Sequence, residues 1–137
     1  MTLDLRRRAR LDRNEMILAR VGWLTEQDRA VLEGVFRTGQ TVRELARLLG
    51  VSERKLGRRV HRLVERVLSD RFAFVMRHHG RWSPARRRVA VACVLEGRSV
   101  RAARGDLGLS MHTIRGHLAA VDAMLEGVSD GAHEAAA

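Results

Sequence analysis

Apolar positions recur along this chain with helical period, and the blocks they form tend to open on a hydroxyl residue and close on a glycine. The pattern is densest from Thr41 to Leu63, TVRELARLLGVSERKLGRRVHRL. Val42, Leu45 and Leu49 make one stripe, and Leu56, Val60, Leu63 and Val67, at i, i+4, i+7 and i+11, make another. Thr41 with Glu44 three residues on is a capping box for the first helix, Gly50 offers the left-handed conformation that ends it, and Ser52 caps the second. Ala46 suits the close crossing of two helices joined by a three-residue turn. The second helix is apolar behind and cationic in front, where Arg54, Lys55, Arg58, Arg59 and Arg62 lie.

The flanking segments follow the same rules. Residues 1–13 read as a loose basic arm, with a short helix of weak apolar side as the alternative. From Asn14, Met16, Ile17, Leu18, Val21 and Trp23 form a short helix that Gly22 ends, so residues 1–23 are arm and helix together. Thr25 with Asp28 caps a supporting helix with Val31, Leu32, Val35 and Phe36 on its apolar face, ending near Gly39. Leu68, Phe72, Val75 and Met76 carry the period through residues 68–81. That segment reads as a helical linker, either continuous with the helix before it or restarting after Ser69-Asp70.

A shift of 58 residues aligns Leu24–Val67 with Trp82–Leu125 without a gap. Thr25 meets Ser83, Gly39 meets Gly97, Leu49-Gly50 meets Leu107-Gly108, and Ser52 meets Ser110, so caps, turns and core positions recur together. Ser83-Pro84 is a cap followed by proline at the first helical position. The expected organisation is a first unit at 24–67, the linker at 68–81, a second unit at 82–126 and a disordered tail at 127–137, SDGAHEAAA being its end.

Charge adds a partner to this picture. The chain carries a net +10, residues 1–125 hold all 26 basic side chains against 13 acidic ones, and residues 126–137 add only Glu126, Asp130 and Glu134. A basic folded part implies a polyanion, nucleic acid before an anionic membrane. Lys55 is the one lysine, a sign of GC-rich coding, so the placement of arginine informs more than its abundance. The lone Cys93 between Ala92 and Val94 reads as a small buried hydrophobe, which fits a reducing cytoplasm. No apolar run reaches the roughly 18 residues of a membrane span, and MTLDLRRRAR lacks a signal peptide's apolar core. His78-His79 lacks companion ligands at zinc spacing, and no nucleophile elbow, phosphate loop or metalloprotease motif occurs. The expectation is no catalytic residue, no metal and no cofactor.

TVRELARLLGVS resembles the helix-turn-helix superfamily shared by the fourth-region domain of bacterial sigma factors and the LuxR-type regulators. SMHTIRGHLAAVDAML in the second copy is similar to the LuxR-type pattern, with Ser110 as cap and His112, Thr113, Arg115 and His117 matching its recognition helix. The copies depart from the pattern where Gly57 replaces an arginine, where Ala102 removes the capping box, and where Arg104 stands for the small residue that Ala46 supplies. The second unit's middle helix is therefore expected to be weaker or shifted.

Together these readings predict an all-α chain of two tandem helix-turn-helix units that binds double-stranded DNA in the major groove, as a transcriptional regulator or sigma-like accessory factor. Arg58, His112, Thr113 and Arg115 are the expected reading residues, and Arg54, Lys55, Arg59, Arg62 and His117 are expected to bind DNA beside them. Arg43 and Arg101, at helix starts, are the expected phosphate contacts, and Thr41, Ser52, Ser99 and Ser110 complete the expected DNA-binding set. The alternative is a protein-interaction module that docks on RNA polymerase or on a sigma factor; oligomeric state stays open.

Overall fold

The computed structural model describes residues 2–136, with side chains for residues 4–129. Among the described residues the chain is all-helical, with no strand. The helices are α1 (Thr2–Arg20), α2 (Glu26–Phe36), α3 (Val42–Leu49), α4 (Glu53–Val67), α5 (Asp70–His78), α6 (Pro84–Ala90), α7 (Val100–Leu107) and α8 (Met111–Ala136). They fall into two compact units, α1–α4 up to Ser69 and α5–α8 from Asp70.

In the first unit the caps expected at Thr25, Thr41 and Ser52 form, whereas Asn14, a possible cap in the sequence, lies inside α1. Thr25 Oγ1 accepts the Asp28 N–H at 3.4 Å, Thr41 Oγ1 the Glu44 N–H at 3.1 Å, and Ser52 Oγ the Lys55 N–H at 3.4 Å. Gly50 ends α3 with φ +68°, a conformation that costs glycine little. The core gathers Ile17, Leu32, Leu45, Leu56, Leu63 and Val67 from all four helices. Leu49, expected in the buried stripe of α3, is about half exposed instead, and Ala46 lies in the core in its stead. Arg20 is almost fully buried at the end of α1, and its Nη1 donates to the Val67 carbonyl at 2.8 Å, closing the last turn of α4. An Arg20→Met variant leaves that carbonyl without its charged donor and lowers the unfolding free energy by about 1.5 to 3 kcal/mol, readable by urea denaturation.

The second unit repeats this plan with the 58-residue offset. Ser83, Ser99 and Ser110 cap α6, α7 and α8, and Gly108 ends α7 at φ +64°. Val75, Val89, Ala103, Ile114 and Val121 are buried where the first unit buries Ile17, Val31, Leu45, Leu56 and Leu63. Even the irregular turns match: Thr38 N–H to Glu33 O and Gln40 N–H to Gly34 O in one unit become Glu96 N–H to Val91 O and Arg98 N–H to Ala92 O in the other. There α6 runs on through a π-helical turn, Val91–Leu95.

Four expectations need correction. The segment 68–81 is not a linker: α4 stops at Val67, and α5 opens the second unit as α1 closes onto the first. Each is followed by a three-residue 3-10 turn, Val21–Trp23 or His79–Arg81, and then by an extended residue, Leu24 or Trp82. Residues 2–13 are helical where an arm was expected, because Leu, Arg and Ala are good helix formers and the helix propagates from turns that pack further on. The expected disordered tail is also helical, α8 continuing to Ala136; Gly127 and Gly131 cost about 1 kcal/mol each, and the alanines around them favour the helix. Side chains of 130–137 lie outside the described residues. Lastly, α7 is not shifted: it spans the equivalent of α3, buries Ala103 and leaves Arg104 in solvent.

Candidate nucleic-acid interface

The α3–α4 hairpin decides which side chains reach solvent. Leu56, Val60, Leu63 and Val67 hold one side of α4 against the core, so residues near the opposite side must point outward. At 100° per residue, Arg54, Lys55, Arg58 and Arg62 share one quarter of the helix circumference. All four are exposed, and among the described residues none of their side chains has an ion-pair or hydrogen-bond partner. Lys55, Arg58 and Arg62, with Arg59 at the edge, line a shallow cleft of about 310 Å³. Four cations with no protein carboxylate to satisfy them create a strong positive field along the first three turns of α4.

Arg59 sits at the edge of that face. It lies at the seam with α2, where its Nη2 donates to Asp28 Oδ1 at 2.7 Å, and Arg66 approaches the other oxygen of Asp28 at 3.8 Å. Burial pulls the Arg66 pKa down and Asp28 pulls it back up, so this carboxylate is the polar tie between α2 and α4. The equivalent position in the second unit is His117, and it behaves alike. Arg86 Nε, from α6 at the place of Asp28, donates to His117 Nδ1 at 3.3 Å. The bond needs a lone pair on that nitrogen, and His117 is only partly exposed. Arg59 and His117 thus each tie their helix to the supporting helix, α2 or α6, a contact that helical spacing alone does not show. An Arg59→Ala variant should lose about 0.5 to 1 kcal/mol of stability while binding the same sequences as the parent. A changed sequence preference in a duplex selection would make Arg59 a reading residue.

The remaining expected residues split by unit. Thr41, Arg43 and Ser52 are exposed at the starts of α3 and α4. Ser99, Arg101 and Ser110 occupy the same places in the second unit. His112 and Thr113 are exposed at the start of α8, although Thr113 Oγ1 accepts a hydrogen bond from the Ser110 hydroxyl at 2.9 Å. Arg115 is exposed at the counterpart of Gly57, towards the edge of the face. The counterparts of Arg58 and Arg62 are Gly116 and Ala120, so the outward face of α8 is nearly uncharged.

No protein-family model, curated protein or solved structure matches this chain.

The second unit pairs part of its arginines internally, as the first does with Arg20, Arg37, Arg59 and Arg66. Arg71 pairs with Asp122 at 2.7 Å, Arg98 with Glu96 at 2.6 Å and Asp106 at 2.8 Å, and Arg88 donates to the Leu107 carbonyl at 3.3 Å. Those carboxylates raise the pKa of Arg98, the Glu96 hydrogen bond first. Cys93, half-buried beside the core of this unit, has its thiol pKa pushed up chiefly by burial and is a poor nucleophile. The units therefore share a scaffold and differ on the outward face of the last helix: α4 presents four cations there and α8 only Arg115, although Arg77, Arg81, Arg101 and Arg104 are also exposed in the second unit. No helix among the described residues is long and apolar enough to cross a membrane.

Proposed function

We propose that the protein binds double-stranded DNA sequence-specifically, with α4 as the recognition helix in the major groove, and acts as a transcriptional regulator or sigma-like accessory factor. One observation carries the reading: Arg54, Lys55, Arg58 and Arg62 stand unpaired on one face of a helix that follows a second helix after a three-residue turn. A helix fits the major groove, and arginine can pair bidentately with guanine there. Arg43, with the capped helix starts at Thr41 and Ser52, supplies donors for the flanking phosphates. In the second unit α8 adds the lighter contacts of His112, Thr113 and Arg115.

Selection of bound duplexes from a random pool, followed by titration of the winner across salt, tests this reading. The expected result is one enriched motif and an affinity whose logarithm falls with log salt at a slope of about 5 or more, the equivalent of six or more phosphate contacts. A slope near zero overturns the proposal.

The second reading, a protein-interaction module docking on RNA polymerase or a sigma factor, also has an observation in its favour. Leu48, Leu49 and Val51 are 71%, 51% and 48% exposed at the end of α3, beside a cavity of about 380 Å³ lined by Ala30, Val31 and Leu45. Adjacent exposed aliphatic side chains of this kind mark contact surfaces. If Leu48→Ser abolishes polymerase or sigma binding in a chain that selects no duplex, this second reading replaces the first.

A further inference from the structure

The first unit has one part without a counterpart in the second. A 58-residue offset places α5 against Asp12–Arg20, so α1 extends N-terminally beyond anything in the repeat. Residues 4–13 of that extension are exposed on every side of the helix, and packing first appears at Ile17. A solvent-surrounded helix gains nothing from burial, and most helical stability in proteins comes from packing.

Its charges are sorted. With 100° between successive residues, Arg6, Arg10 and Arg13 fall within a 60° arc, and Arg7 flanks them. Asp4, Asp12 and Glu15 gather on the opposite side. The apolar residues form no stripe, since Leu5 and Leu11 point about 120° apart, and Arg8 and Asp12 lie on the side that Leu5 shares with Met16. That arrangement argues against a coiled-coil seam or an interfacial membrane helix, each of which needs a continuous apolar face. It suits a row of phosphates. The arginine row continues the line of Ile17, at i, i+4, i+7 and i+11 from Arg6, so it emerges on the side by which α1 packs onto its own unit.

We infer that the extension of α1 is a phosphate-binding helix, in which Arg6, Arg10 and Arg13 grip the sugar–phosphate backbone of duplex DNA beside the site read by α4. This rests on the DNA-binding reading and adds a sequence-independent clamp to it. Over seven residues the row rises roughly 10 Å, enough for three guanidiniums to meet successive phosphates of one strand. The clamp adds affinity and salt dependence without adding base preference.

The test compares the full chain with an Arg6→Gln/Arg10→Gln/Arg13→Gln variant and the matching triple Lys variant, on the selected duplex and on vesicles rich in anionic lipid. In the Gln variant the salt slope is expected to fall by about 2 to 3, and affinity at 0.1 M salt by tenfold or more, with the selected motif unchanged. The Lys variant should keep the parent slope. An unchanged slope in the Gln variant overturns this inference and leaves α4 as the DNA-binding helix. A parent chain that binds no duplex at any salt overturns the DNA reading and the clamp together. Vesicle binding that depends on the three arginines, beside unaltered duplex binding, overturns the clamp in favour of a membrane contact.

Discussion

Arg58→Ala is expected to weaken binding to the selected duplex by roughly 1 to 3 kcal/mol, about 5- to 150-fold, and to flatten the base preference at one position. Arg58 sits at the centre of the cationic arc of α4, exposed and with no protein partner among the described residues, so its guanidinium is free to fork onto a base. Changing Arg54, Lys55, Arg58 and Arg62 together to Gln should remove up to about 3 to 4 from the salt slope and leave no motif to select. The second unit gives the contrast. Arg115 stands at the edge of its face, with Gly116 and Ala120 where α4 has Arg58 and Arg62, so Arg115→Ala should cost less than Arg58→Ala. Selection from a random duplex pool, repeated with each variant, measures all of this. A larger loss at Arg115 than at Arg58 would move the reading helix from α4 to α8.

The α3–α4 hairpin was legible because its signals are local. Thr41, Gly50 and Ser52 act on backbone groups within a few residues, and those interactions form. The seam between α2 and α4 was not legible. Helical spacing places Arg59 only about 40° from Leu63, and whether an arginine there faces solvent or a carboxylate depends on Asp28, 31 residues earlier. The same holds for His117 and Arg86. The leading segment of each unit was read as helical, but the equivalence of the two was missed although a sequence signal existed: Asp12-Arg13 aligns with Asp70-Arg71, and Gly22 with Gly80. It was hidden because the buried positions keep volume and polarity instead of identity, as with Ile17 and Val75. At both ends of the chain, propensity outweighed the lack of an apolar stripe, which is why an arm and a tail were expected where α1 and α8 are helical.

The reassignment of 68–81 leads to the largest expected loss of stability, at Phe72. A linker helix tolerates truncation of its apolar side chains, whereas a helix that closes a core does not. Phe72 is fully buried on α5, with Val75 fully buried one turn later. Cutting it to alanine removes an aromatic ring from a packed site and leaves a cavity that its neighbours only partly fill, a cost of about 3 to 5 kcal/mol. The unit is small enough for that to be a large share of its stability. The chain carries its own reporters, Trp23 in the first unit and Trp82 in the second, so a Trp23→Phe background makes fluorescence report on the second unit alone. In urea, the Trp82 transition of Phe72→Ala should move to a much lower midpoint, equivalent to those 3 to 5 kcal/mol. A loss under about 1 kcal/mol, the range of surface changes, would mean that α5 connects the two units without holding either together.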